Sequence, residues 1–138
     1  MIKLIKKHPI TLIFISYIAI ELCKVTGFVC GPAFQRHFNL SPTQLGLVFS
    51  ALSLGGLTMN ICIGPLTSRI GLWKTWKYGI TGSILAMIII PLSTGFWSVF
   101  VPIFMLGVMI VLTLCANHTY LSENFNKKPL QIMSLASG

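Results

Sequence analysis

Four apolar runs alternate with short polar stretches along this chain: Ile10–Val29, Ser41–Ile63, Trp76–Leu92 and Phe96–His118. Each approaches the length of about 20 residues that a helix needs to cross hydrocarbon. The second run opens on Asn39-Leu40-Ser41-Pro42-Thr43-Gln44, which predicts a helix start. Ser41 serves as N-cap, Pro42 takes the first helical position and Gln44 closes a capping box. Gly64-Pro65 predicts the end of that helix, and Ser93-Thr94-Gly95 predicts the turn between the third and fourth. A polar segment, Ser122 to Lys128, follows, and residues 129–138 read as the first turns of a fifth helix. The pattern predicts one all-α integral membrane domain over residues 1–138, with four transmembrane helices and a partial fifth.

Composition agrees with that class. The 138 residues are 54% hydrophobic and 9% charged, with a mean hydropathy of +0.85. Soluble domains carry about 25% charged residues, so this chain cannot cover a water-facing surface. The net charge of +8 does not imply nucleic acid, because the cations lie between apolar runs, where they set orientation. Lys3, Lys6, Lys7, Arg69, Lys74, Lys77, Lys127 and Lys128 fall on one side of the membrane. Arg36 falls on the other, and Lys24 lies within the first run. The positive-inside rule then places the N terminus, the Gly64–Lys77 stretch and the Ser122–Lys128 segment in the cytoplasm of a cell (inner or plasma) membrane. A cleavable signal peptide would need a small-x-small site after its apolar core. Glu21 and Lys24 stand there instead.

The stretch Gly64-Pro65-Leu66-Thr67-Ser68-Arg69-Ile70-Gly71-Leu72-Trp73-Lys74 resembles the loop between the second and third helices of major facilitator superfamily transporters. That loop reads roughly Gly-x-Leu-x-Asp-Arg-x-Gly-Arg-Arg/Lys. Gly64, Leu66, Arg69 and Gly71 are in register, Ser68 stands at the aspartate, and Lys74 arrives one position late. Phe38 to Gly46 is similar to the start of the family's second helix. Gly107 and Ser122-Glu123-Asn124-Phe125 resemble its fourth-helix glycine and following Glu-x-Phe, while Ile103 replaces an arginine often found before that glycine. The resemblance covers nearly the whole chain, and the chain covers about a third of the family's twelve-helix fold, part of its N-terminal six-helix half.

Candidate chemistry centres on Glu21 and Lys24. Three-residue spacing puts them on one helical face, where they can pair. An ionisable group inside a membrane helix faces a cavity or a partner. The expected role is substrate or proton coupling, with a structural ion pair as the competing reading. Tyr17, one turn earlier, and Asn60 are further polar candidates; packing or interhelical hydrogen bonding is the alternative for each. Rows of small residues at four-residue spacing, Gly46/Ser50, Gly56/Asn60/Gly64 and Gly79/Ser83, predict close helix packing. Asn117 and His118 read as capping or interfacial groups at the end of the fourth run, and Trp73, Trp76 and Trp97 as an aromatic belt. Cys23, Cys30, Cys62 and Cys115 are scattered, as are the histidines, so no metal ligand set is expected. No phosphate-cradling loop or nucleophile elbow occurs, and neither enzyme activity nor a cofactor is expected.

The resemblance implies a secondary transporter that moves a small solute by alternating access. It also implies a gating role for Gly64, Leu66, Arg69, Gly71 and Lys74. Since helices beyond the fourth are largely missing, a fragment or truncated transporter, unable to transport alone, is the expectation. The partners expected are the bilayer, an unknown solute, and a missing transporter half or a second copy. The alternative is a small four-helix membrane protein acting as an oligomeric exporter or a non-transporting subunit.

Overall fold

The computed structural model describes residues 9–29 and 31–124. It contains α1 (Pro9–Val29), α2 (Gly31–His37), α3 (Pro42–Ile70), α4 (Leu72–Ile89), a 3-10 turn at Ile90–Leu92, and α5 (Phe96–Asn124). No strand occurs among the described residues. α3, the Leu72–Leu92 segment and α5 are long and apolar enough to cross a membrane, and α1 adds a shorter apolar run, Ile13–Leu22. The predicted fifth helix lies outside the described residues.

Local chemistry explains the helix ends. Ser41 caps α3 through a full capping box: the Gln44 amide donates to Ser41 Oγ (3.2 Å), and the Ser41 amide donates to Gln44 Oε1 (2.9 Å). The stretch from Gly31 to Phe38, between the first two apolar runs, contains α2. α2 closes at Asn39, whose φ of 50° is a left-handed conformation that asparagine tolerates. That turn delivers Phe38 and Leu40 into a core with Val48, Ala51, Val99 and Ile103.

Three predicted ends need correction. α3 does not stop at Gly64-Pro65; it continues to Ile70. A proline removes one backbone bond, but every other amide still needs a partner, so a helix in this setting passes through it. The chain breaks instead at Gly71, with φ 87° and ψ 148°, a region essentially restricted to glycine. α4 therefore starts at Leu72, earlier than Trp76, and α5 ends at Asn124, beyond His118. α5 also carries Pro102, which leaves the Ser98 carbonyl without its amide. Ser93 Oγ donates to that carbonyl at 2.8 Å, so the turn before α5 repairs the gap within it.

α5 is the hub, with α3 and α4 packed along it and α1 against its later half. Backbone closeness controls the α3–α5 contact. A Cβ on Gly55 would overlap the Phe104 carbonyl, and one on Gly107 would overlap the Leu52 carbonyl. A Cβ on Gly79 of α4 would overlap the Thr113 hydroxyl and crowd the Thr113 amide and the Met109 carbonyl. The packed face of α3 is Val48, Ala51, Gly55, Met59 and Ile63. Of the predicted small-residue rows, Gly56 and Gly79 touch α5, whereas Gly46 and Gly64 meet open space. The outward faces carry large aliphatics such as Val29, Ile61, Leu85 and Leu92, as helices facing lipid do.

Candidate functional site

The sequence-predicted polar residues do not converge on one pocket. On α1, Ile13, Ser16, Tyr17 and Ile20 turn inward, while Glu21 lies on the outer face. Lys24 Nζ donates to Glu21 Oε1 at 2.6 Å, with side-chain exposures of 33% for Lys24 and 58% for Glu21. The ion pair thus forms at three-residue spacing, on a face that α5 does not cover. Asn60 is also exposed, one position beyond the packed face of α3. Tyr17 separates from Glu21 despite the one-turn spacing: it is buried, and its hydroxyl lies 3.1 Å from Nε2 of His118.

The Gly64–Lys74 stretch is largely helical. Gly64, Leu66 and Arg69 belong to the last two turns of α3, Gly71 is the break, and Lys74 sits in the first turn of α4. Leu66 packs against the Met59, Ile63 and Leu112 cluster. Ser68 Oγ, at the position of the family's aspartate, donates to the Pro65 carbonyl at 2.9 Å. Arg69 and Lys74 are exposed. Ile103 is a core residue beside Val48 and Val99, so the site of the family's arginine here has an apolar role.

A buried polar junction went unrecognised in the sequence. Asn117, 1% exposed, donates through Nδ2 to Ser16 Oγ at 2.9 Å and accepts at Oδ1 from Trp76 Nε1 at 3.0 Å. Ser16 passes its own hydrogen to the Ile13 carbonyl at 2.7 Å. The amide side chain therefore ties α1, α4 and α5 together, and Tyr17–His118 lies beside it. Asn117 and His118 are not end-of-helix caps, because α5 runs to Asn124 and leaves both well inside it. The available signal was an amide within an otherwise apolar run, with a serine and an indole on neighbouring runs to receive it.

Next to this junction a cleft of about 190 Å³ opens between α1 and α4, floored by α5. Ala19, Ile20, Ile84 and Met87 form its walls, and Ser16, Ser83 and Thr113 supply hydroxyls. Ser83 donates to the Gly79 carbonyl and Thr113 to the Met109 carbonyl, which leaves their oxygens able to accept. Among the described residues no group of His, Cys, Asp or Glu is placed to hold a metal ion. The sequence model of the Major Facilitator Superfamily matches the chain over residues 1–138. No curated protein and no solved structure matches it.

Proposed function

The chain belongs to the major facilitator superfamily, and on that footing we propose that it supplies membrane-spanning helices of a secondary transporter. In this reading a small solute crosses by alternating access, the motion of one helical bundle against another around a central site. The carrying observation is the Glu21–Lys24 pair, exposed on the face of α1 turned away from α5. Charges midway along a membrane helix cost several kcal/mol against lipid and settle where they meet water or protein. The wall of a solute pathway meets that need. A proton arriving at Glu21 removes its charge and releases Lys24, which links proton occupancy to the shape of the pathway.

In this reading the α3–α4 turn, with Arg69, Gly71 and Lys74, takes part in gating. The cation asymmetry supports a cell-membrane location with the N terminus and the α3–α4 turn cytoplasmic. The chemistry is solute movement without covalent steps, and the partners are the bilayer, the solute and further transporter helices.

Side-specific labelling tests the reading. In a cysteine-replaced background, Glu21→Cys is exposed to a membrane-impermeant thiol reagent from each side of sealed vesicles. Reaction from both sides is expected of a pathway residue; reaction from neither would place Glu21 against lipid or packed protein and end the proposal. Proton coupling is read separately in a full-length relative: proton-driven uptake unchanged by the change equivalent to Glu21→Gln would remove it.

A further inference from the structure

The outward face of α4 changes character along its length in a regular order. Lys74 and Lys77 come first, then Tyr78 and Thr81, then Leu85, Ile88 and Leu92. All seven are exposed; from Lys74 to Ile88 their three- and four-residue spacings form one helical stripe, and Leu92, in the 3-10 turn that follows α4, lies just beyond its end. Cations therefore lead to hydroxyls and then to aliphatics on a single surface. From Tyr78 to Ile88 the rise is about 15 Å at 1.5 Å per residue. That is about half the thickness of a bilayer's hydrocarbon core. Trp73, also exposed, sits beside the cations and packs edge-on against Tyr120 and Trp76.

The charge balance leaves these cations without protein partners of equal number. Ten Lys and Arg face two acidic residues in the whole sequence, Glu21 and Glu123, and Glu21 is held by Lys24. At most one carboxylate is left for Arg69, Lys74 and Lys77, with Arg69 exposed just across the Gly71 break.

We infer that this stripe is a binding surface for one anionic phospholipid. Lys74 and Lys77, joined by Arg69, hold the headgroup phosphate, Tyr78 marks the glycerol level, and an acyl chain lies along Leu85, Ile88 and Leu92. The lysine stems lie along the apolar surface while their ammonium groups reach the headgroup plane. Arg69 and Lys74 are shared with the proposed gating turn, but lipid preference is read without any transport, so the inference and the transport reading fail separately.

The test uses the full chain in bilayers that mix phosphatidylcholine with phosphatidylglycerol, one or the other carrying brominated acyl chains. Trp97→Phe removes the indole at the opposite end, and Trp73 and Trp76 then report which lipid adjoins α4 by quenching. Brominated phosphatidylglycerol is expected to quench the more strongly. An interfacial cation contributes about a fivefold preference, so Lys74→Gln and Lys77→Gln should each lose about that much, and adding Arg69→Gln should abolish the rest. Lys74→Arg with Lys77→Arg keeps the charge and should keep the preference, and Arg36→Gln, at the other end, should not alter it. Equal quenching by the two lipids overturns the inference. So does a preference that survives all three glutamine substitutions, or one that millimolar inorganic phosphate removes.

Discussion

Gly107→Ala probes how α3 and α5 hold together where burial from water supplies no driving force. Association in lipid rests on close packing and interhelical hydrogen bonds. The Cβ added at Gly107 would occupy the place of the Leu52 carbonyl, with the Gly56 amide nitrogen 3.1 Å away. Both obstacles are backbone, so no side chain can swing aside. The helices must part by roughly 1 Å, and such a gap forfeits a quarter to a half of each dispersion well it opens. The face from Val48 through Ala51, Gly55 and Met59 to Ile63 contributes dispersion energy on the order of 5 kcal/mol, built from pairs of about 0.1 kcal/mol each. The loss is therefore about 1–3 kcal/mol, in line with overpacking in close-packed cores. Gly46→Ala is the control, because nothing lies within 4 Å of its added Cβ, and it should gain up to about 1 kcal/mol from helix propensity. Reversible unfolding in mixed micelles, followed by circular dichroism, measures both. Gly55→Ala opens the same gap from the other helix, so the double variant should cost clearly less than the sum of the singles. Equal stabilities for Gly107→Ala and Gly46→Ala would refute the reasoning.

Asn117→Leu removes the acceptor of Trp76 and the donor to Ser16; a cost of about 1–2 kcal/mol should appear in the same unfolding assay, with a shift of the Trp76 emission. Gly71→Ala should cost about 1–3 kcal/mol although its surroundings are open, because the penalty lies in the backbone conformation. Ser93→Ala strips the Ser98 carbonyl of its donor, and a loss of about 1 kcal/mol with faster amide exchange in the first turns of α5 is expected.

Some features were legible in the chain because their causes are local. Ser41, Pro42 and Gln44 form a cap from residues three apart, and the capping box is present as read. Gly71 was singled out as part of a turn, yet the turn's extent was misjudged at Gly64-Pro65. Proline ends helices in water, where freed carbonyls find solvent; among membrane helices the remaining amides keep their partners by staying helical. That one difference moved Gly64, Leu66 and Arg69 from a loop into α3, and the same extension of α5 moved Asn117 and His118 from its end to its interior.

The sequence by itself determined that this is a multi-pass, all-helical membrane protein of the major facilitator superfamily, through run length, composition and a partly matched motif. It also determined that Glu21 and Lys24 can meet, since a single helix brings them together. Tertiary structure alone decided which face of each helix is inward: Gly55 and Gly107 at the α3–α5 contact, Asn60 and Gly64 outside, and Tyr17 inside while Glu21 remains out. In helices that are apolar all round, hydrophobicity does not distinguish one face from another. The choice falls to backbone fit and to a few hydrogen bonds between residues 41 to 101 positions apart, and neither is visible until the helices are side by side.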